Sequence, residues 1–358
     1  MFIVDAHIDL AYSALRFERD LRQDVQEIRR RESRLKSLPN GVATATVPQL
    51  HEGGIGLVFG SLFALPQHAN RELPGNERLV YANADEAYRA AVEQLDYYHR
   101  LADEEALGVR LVGDLDSLEE VVASHKDDEA RLLGLAPLME GADAVREPEE
   151  LEEWYERGVR LIGPAWDDTR YAAGAWRGGG GFTDDGYHLM EVMADLGFIL
   201  DVTHLSEEAT FEAFERYEGV VVATHANARA LVPGQRQLSD EQIRRLAERD
   251  GVAGVVFFNN FLRAGHSKGD PRQAVTLQHV VAHIDHICQL LGDPGHVGIG
   301  SDFDGGFGLE DTPAEIESVA DLALIAPLLR ERGYSEEDVA RIMGGNWLNV
   351  LRRAFAGN

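Results

Sequence analysis

The chain has 358 residues, of which 44% are hydrophobic and 27% are charged, and this length and composition are typical of a folded protein with a large core. Its 62 acidic residues against 34 basic ones give a formal net charge of −28, which argues against nucleic acid or an anionic membrane surface as a partner. The single cysteine, Cys288, excludes an intrachain disulfide and suits a reducing compartment.

The amino-terminal segment carries no recognisable export signal. It reads MFIVDAHIDLAYS and has neither a basic start nor a long apolar stretch. No window of the chain approaches the roughly 18 apolar residues of a membrane span. We therefore expect a cytoplasmic protein without a membrane partner.

Short apolar runs followed by amphipathic stretches recur along the chain. Runs of four or more apolar residues predict strands that are buried on both faces. The eight predicted strands lie within residues 2–8, 54–65, 132–139, 159–165, 198–202, 220–223, 252–258 and 296–301. Apolar residues at helical spacing predict helices over 77–107, 206–217, 239–249 and 277–291, and a carboxyl-terminal helix over 338–355.

Eight strands alternating with helices over roughly 300 residues predict a (β/α)8 barrel, the TIM barrel fold. We expect residues 1–358 to form one such domain with a C-terminal helical extension. An open doubly wound sheet is the alternative. Residues 109–112 could form a ninth strand, but we interpret them as a short accessory turn.

Two histidines follow the fifth and sixth predicted strands. Both strands end in the dipeptide Thr-His, at His204 and His225, and the segment between them begins with Ser206, a suitable helix cap. Neighbouring parallel strands lie about 5 Å apart, so the two imidazoles would project into the same space above the sheet. Their convergence indicates a metal site.

The same edge of the predicted barrel collects further metal-ligating residues. His7 and Asp9 end the first strand on one side of the chain, Glu140 ends the third and Asp302 follows the eighth. Each motif alone also suits a polar strand end, but their coincidence at strand ends favours a site. Five ligands of mixed histidine and carboxylate type fit two Zn²⁺ ions that share a bridging carboxylate and leave room for a water.

Seven motifs occur in chain order: DAHIDL (5–10), LMEGAD (138–143), ILDVTHLS (199–206), ATHANARAL (223–231), FFNNF (257–261), GIGSDFDGG (298–306) and GGNWLNVL (344–351). Together they resemble the motifs of the renal or membrane dipeptidase family, peptidase family M19 of the amidohydrolase superfamily. The resemblance spans nearly the whole chain. It implies a metal-dependent hydrolase barrel with a binuclear zinc site.

The resemblance also implies a role for each candidate ligand. His7 and Asp9 match the ligands of one zinc ion, and Glu140 matches the carboxylate that bridges the two ions. His204 and His225 match the ligands of the second zinc ion.

The resemblance assigns further residues to the substrate. Asp302 matches the catalytic acid/base, and Arg236 falls where the family places an arginine that binds the substrate carboxylate. Asn260 and Phe261 lie in the substrate-pocket motif, where Phe261 replaces the usual tyrosine and lacks its hydroxyl. Trp166 stands where the family often has a histidine, and its indole offers one donor and no titratable nitrogen.

These features predict a dipeptidase that uses a metal-bridging hydroxide and accepts small dipeptides, including those with a D residue at the carboxyl-terminal position. A first alternative is an amidohydrolase acting on another small amide, such as an N-acyl amino acid or a lactam. A second is a non-hydrolytic relative, either an isomerase or a binding protein. Homodimers are common in the family. The run Gly178–Gly181 is interpreted either as a cover near the site or as a linker.

Overall fold

The computed structural model describes residues 1–35, 38, 40–70, 77–126 and 131–356. Its strands are β1 (Ile3–Ile8), β2 (Ile55–Phe63), β3 (Leu65–Pro66), β4 (Val80–Tyr81), β5 (Val109–Leu111), β6 (Leu133–Glu140), β7 (Leu161–Gly163), β8 (Ile199–Asp201), β9 (Val221–Val222), β10 (Ala253–Val255) and β11 (Val297–Ile299). Its helices are α1 (Leu10–Phe17), α2 (Val25–Glu32), α3 (Val47–Glu52), α4 (Ala84–Asp103), α5 (Leu115–Ser124), α6 (Leu151–Glu156), α7 (Asp184–Leu196), α8 (Glu207–Arg216), α9 (Asp240–Glu248), α10 (Asn259–Leu262), α11 (Leu277–Leu291), α12 (Ile325–Glu331), α13 (Glu336–Ala340) and α14 (Asn346–Phe355).

Eight of the strands form a parallel barrel. They pair in the order β10-β11-β1-β2-β6-β7-β8-β9, and a parallel bridge between Ala223 and Ala253 joins the last strand of this order to the first. The predicted (β/α)8 barrel is therefore confirmed, and the doubly wound sheet is excluded. In such a barrel the carboxyl ends of all strands lie on one face.

The interpretation of residues 109–112 as a turn is wrong. They contain β5, which pairs in parallel with the first half of β6, so that Val109 lies opposite Leu133 and Leu111 opposite Leu135. β7 pairs only with the last part of β6, beginning at Leu138. The edge of the long strand β6 therefore has room for two short neighbours.

The unit β8-α8-β9 forms as predicted. The side chain of Ser206 accepts a hydrogen bond from the backbone N–H of Ala209 and caps α8 at its amino terminus. The helix then returns the chain to the start of β9, which pairs in parallel with β8. This crossover places the segments after both strands, which carry the two histidines, side by side.

The long helix predicted over 77–107 begins later and ends earlier. Leu79 has a backbone φ of 58°, which is incompatible with a right-handed helix. β4 follows and pairs with β3. The side chain of Asn83 then accepts a hydrogen bond from the backbone of Glu86 and starts α4.

The carboxyl-terminal segment packs on the barrel. It forms α13 and α14, joined by a π-helical stretch at Arg341–Gly345. The indole of Trp347 is fully buried, donates to the carbonyl of Ile299 at 3.1 Å and lies 5.5 Å from the Phe59 ring. A Cβ atom on Gly298 would lie 2.3 Å from the Trp347 indole nitrogen, so this strand position requires glycine. Across the described ranges, every helix is too short or too polar to span a membrane.

Candidate active site

The six polar residues predicted at strand ends meet at the carboxyl face of the barrel. They come from β1, β6 and the segments that follow β1, β8, β9 and β11. Every one of them belongs to at least one compact group whose ligand atoms lie within 4.8 Å of one another. The residues are His7, Asp9, Glu140, His204, His225 and Asp302.

The Glu140 carboxylate stands between two groups of ligands. Its Oε2 atom lies 3.4 Å from Nε2 of His7. Its Oε1 atom lies 3.1 Å from Nε2 of His204 and 3.6 Å from Nε2 of His225. Each oxygen therefore faces a different set of histidines, which is the arrangement that a bridging ligand needs.

The spacing of the donor atoms fits two metal ions. Ligand atoms at about 2.0–2.1 Å around a tetrahedral ion lie about 3.3 Å apart. The Nε2 atoms of His204 and His225 are 3.1 Å apart, and both contact Glu140 Oε1. On the other side, Nε2 of His7 lies 3.4 Å from both Asp9 Oδ2 and Glu140 Oε2. Nε2 of His7 is buried and has no hydrogen-bond partner within the described part of the chain, as expected of a nitrogen kept for a metal.

The side chain behind His225 fixes its tautomer. The Thr224 hydroxyl donates a hydrogen bond to Oδ2 of the Asp201 carboxylate at 2.5 Å. The same hydroxyl lies 2.9 Å from Nδ1 of His225. Because the hydroxyl donates to Asp201, it accepts from His225, and Nδ1 carries the ring proton. The lone pair on Nε2 therefore points at Glu140 and is available to a metal.

Asp9 is oriented in a similar way. The Ser61 hydroxyl donates to its Oδ1 atom at 2.6 Å, which leaves Oδ2 facing His7. Four residues earlier, in β1, Asp5 accepts hydrogen bonds from the backbone and hydroxyl of Ser301. Burial raises the pKa of Asp5 to about 6 despite these hydrogen bonds. The hydrogen bonds between Asp5 and Ser301 tie β1 to the end of β11, where Asp302 follows Ser301.

Burial and charge shift the ionisation of the whole cluster. Burial and the positive charge of Arg236 lower the pKa of His204 to about 4, and burial holds the pKa of His225 well below its ordinary value. Burial, and then the negative charges of Asp9 and Glu140, raise the pKa of Asp302 well above its ordinary value. Burial lowers the pKa of His7, but the carboxylates of Glu140 and Asp9 outweigh burial and raise this pKa well above its ordinary value. The buried carboxylates therefore hold a proton on His7, where a metal cation could supply the positive charge instead.

Two of these residues have an uncommon backbone conformation. His204 has φ of 70° and Asp302 has φ of 62°, the left-handed region that non-glycine residues seldom adopt. Such strain is characteristic of functional positions that the surrounding structure holds in place. At both positions the backbone turns the side chain inward at the end of a strand.

Arg236 is buried beside the second pair of histidines. Its Nη2 atom lies 3.1 Å from Nε2 of His204. Its Nε and Nη1 atoms are buried and have no hydrogen-bond partner among the residues that the structure describes. Its Cζ atom lies 5.5 Å from the centre of the Phe261 ring. Two unsatisfied donors of a buried guanidinium are suited to a carboxylate that arrives with the substrate.

The remaining predicted site residues occupy different places. Trp166 and Phe261 line a cavity of about 400 Å³ together with Asp302 and Arg236. Asn260 lies in the same short helix as Phe261, but outside the lining of this cavity. The structure therefore brings Trp166 and Phe261 to the predicted pocket and leaves Asn260 at its edge.

Trp176, which no sequence motif indicated, also lines the cavity. Its ring centre lies 6.1 Å from the His204 ring. The preceding segment is tied to His204, since the backbone N–H of Ala175 donates to the His204 carbonyl at 2.7 Å. The run Gly178–Gly181 is not part of this lining, and the choice between a cover and a linker stays a prediction.

Comparison with known proteins agrees with this geometry. The sequence profile of the membrane dipeptidase family, peptidase family M19, matches residues 1–356. An uncharacterised protein in the pqqA 5′ region of Klebsiella pneumoniae is 34% identical over 236 residues, which cover 63% of this chain and 84% of the relative. Dipeptidase ataJ of Aspergillus terreus is 28% identical over 351 residues, which cover 89% and 78% of the two chains. The crystal structure of dipeptidase AC, a metallo-peptidase of family M19, has a TM-score of 0.79 at 26% identity and covers 99% of both chains.

A (β/α)8 barrel with histidine and carboxylate clusters at its strand ends defines a metal-dependent hydrolase of the amidohydrolase type. The chain belongs to the membrane dipeptidase family, peptidase family M19. It is a hydrolase of peptide bonds, and its substrates are small peptides.

Proposed function

We propose that the protein is a binuclear zinc dipeptidase. The observation that carries the proposal is the position of Glu140, whose two oxygens face His7 on one side and His204 and His225 on the other. In this proposal His7 and Asp9 would hold one ion, the two other histidines would hold the second, and Glu140 would contribute to both.

The two ions, when bound, acidify a shared water and polarise the scissile carbonyl. Asp302 is the group that moves the proton. It lies beside the first group of ligands, with Oδ1 3.9 Å from Nε2 of His7. Nearby cations favour its ionised form, so it can accept a proton from the attacking water and return it to the departing amine nitrogen.

Arg236 holds the carboxyl-terminal carboxylate of the substrate. Its Nε and Nη1 atoms have no hydrogen-bond partner among the described residues, and each can donate a hydrogen bond to a carboxylate oxygen. A carboxylate fixed at this distance from the metal ligands places the first peptide bond upstream of it at the reacting position. This requirement selects substrates with a free carboxyl terminus, and the cavity of about 400 Å³ favours dipeptides over longer chains.

Trp166 and Phe261 define how this site differs from the family pattern. Phe261 packs beneath Arg236 and offers no hydroxyl to the substrate. Trp166 can donate one hydrogen bond through its indole nitrogen but cannot transfer a proton. We therefore assign proton transfer to Asp302 alone and give Trp166 a role in shaping the pocket. Asn260 is proposed to support the pocket edge.

The test is the release of amino acids from a panel of L-Xaa-L-Xaa and L-Xaa-D-Xaa dipeptides by the zinc-loaded protein. We expect release that depends on zinc and that Asp302→Asn abolishes, and the panel reports whether a D residue is accepted at the carboxyl-terminal position. N-acyl amino acids and lactams are assayed in parallel. If no dipeptide is cleaved by protein with two zinc ions bound, the proposal is overturned, and cleavage of another amide would establish the alternative.

A further inference from the structure

One side of the cavity is a continuous row of aromatic rings. Trp166 lies 5.1 Å from Phe63, Phe63 lies 5.1 Å from Tyr12, and Tyr12 lies 5.9 Å from Phe17, measured between ring centres. All four residues line the cavity. They are called here the first aromatic wall.

A second row of aromatic rings lines the same cavity. Trp176 lies 6.4 Å from Phe261, Phe261 lies 5.0 Å from Phe258, and Phe258 lies 4.8 Å from Phe307. These four residues, the second aromatic wall, also line the cavity. Trp176 is about half exposed, at 51%, so a bound group can still cover much of its surface.

The two walls meet at the proposed reaction centre. The ring centres of Trp166 and Trp176 each lie 6.1 Å from the ring of His204. A peptide bond held beside His204 would therefore be close to both walls. Two substrate side chains that leave the peptide in opposite directions would each contact a different wall.

The position of Arg236 determines which substrate side chain contacts which aromatic wall. Its guanidinium lies over Phe261, which belongs to the second wall. The substrate carboxylate that Arg236 binds is attached to the carboxyl-terminal Cα atom, so the side chain on that atom lies along the second wall. The amino-terminal side chain then lies along the first wall.

Two buried polar residues that line the cavity, Arg16 and Asn40, already have protein partners. Arg16 donates to Asn70 Oδ1 at 2.7 Å and to the carbonyl of Arg78. Asn40 donates to the carbonyl of Asp304 at 2.7 Å and accepts from the backbone of Gly306 at 3.0 Å. A polar substrate side chain would lose water at the walls without gaining a comparable partner, which disfavours its binding.

We propose that the cavity selects dipeptides with a large apolar or aromatic side chain on both residues. This inference rests on the proposed dipeptidase function and specifies its substrate class. The cavity volume of about 400 Å³ is within the range that accommodates small organic ligands. Ring-on-ring contacts on both sides favour aromatic side chains in particular.

The experiment compares kcat/KM for Ala-Ala, Phe-Ala, Ala-Phe, Phe-Phe, Lys-Ala and Ala-Lys, each in the stereochemistry that the protein cleaves. We expect each phenylalanine to raise kcat/KM at least about tenfold over alanine, and each lysine to bring no such gain. Equal rates for Ala-Ala and Phe-Phe would overturn the inference while leaving the dipeptidase function intact. Failure to cleave any of the six dipeptides would overturn both.

Two variants test the assignment of the walls. Phe63→Ala is expected to lower the Phe-Ala to Ala-Ala ratio of kcat/KM more than the Ala-Phe to Ala-Ala ratio, and Trp176→Ala is expected to do the reverse. Phe211→Ala, in α8 and outside the cavity lining, is the matched control and should change neither ratio. Because Trp176 is half exposed, its variant remains informative if Phe63→Ala fails to fold. An equal effect of both wall variants on both ratios would contradict the assignment.

Discussion

The Thr224 hydroxyl lies 2.9 Å from Nδ1 of His225 and links this ring to the Asp201 carboxylate. The link holds the tautomer in which Nε2 is free to bind a metal. Thr224→Val removes it with little change in volume, so we expect zinc affinity to fall about 10–100-fold. Competition with a chromophoric chelator measures this affinity without reference to catalysis.

The control for Thr224→Val is the same substitution at Thr210. This threonine is also buried, and its hydroxyl donates at 2.8 Å to the backbone carbonyl of Ser206, the residue that caps α8, and not to a proposed metal ligand. Thr210→Val should leave zinc affinity unchanged. Equal affinities for the wild type and Thr224→Val would show that the hydroxyl does not position His225.

Replacement of Glu140 by glutamine tests the bridge. Glutamine keeps the size of the side chain but supplies only one ligating oxygen, so it cannot serve both ions with carboxylate oxygens. We expect bound zinc to fall from two ions per chain to one or none, and kcat/KM to fall more than a hundredfold. Elemental analysis after gel filtration gives the metal content. Glu208→Gln, on an exposed face of α8, is the control and should retain two ions.

The strand ends that carry the ligands could be predicted from sequence because each is marked locally. An apolar run that ends in a histidine or carboxylate, as at His204 and His225, needs only the rule that parallel strands share a carboxyl edge. The bounds of the short strands were harder to predict. β5 is three residues long with a charged residue in its middle, and its pairing depends on how much of the β6 edge β7 leaves open.

The position of Trp176 could not be predicted, because contacts between distant residues determine it. An isolated bridge joins Gly174 to Leu205, and Arg177 forms paired hydrogen bonds with Asp167, ten residues earlier. None of these pairings leaves a periodic pattern in the sequence. The ligands of a metal site are therefore easier to predict from sequence than the walls of the pocket around it.

His283 is expected to make stability depend on pH. It is buried, its Nδ1 accepts from the backbone of Ala228 at 3.1 Å, and burial lowers its pKa from 6.5 to about 4. The unfolded chain binds a proton below pH 6.5 and the folded chain does not, so the folded state loses stability as pH falls from about 6.5 toward 4. This residue should lower the free energy of unfolding by about 2 kcal/mol between pH 7.5 and pH 5.

Urea denaturation at pH 7.5 and pH 5 measures this effect. His283→Gln should show a smaller loss of unfolding free energy between the two pH values than the wild type does. His188→Gln provides a control of opposite sign, because a hydrogen bond with Glu149 raises the pKa of His188, and its contribution is present at low pH and lost as pH rises. An unchanged pH dependence in His283→Gln would show that this residue is not the source.

Asp167 is expected to influence substrate choice through Trp176. Its carboxylate accepts from Nε and Nη2 of Arg177, each at 2.8 Å, and Arg177 follows Trp176 directly. Asp167→Asn weakens this pair, so Trp176 should sample more positions and contact the substrate less well. We expect the Ala-Phe to Ala-Ala ratio of kcat/KM to fall several-fold, with a smaller change in the Phe-Ala to Ala-Ala ratio. A double-mutant cycle with Arg177→Gln is the control, since two substitutions that break the same pair should be non-additive. Additive effects on the ratio would show that Asp167 does not act through Arg177.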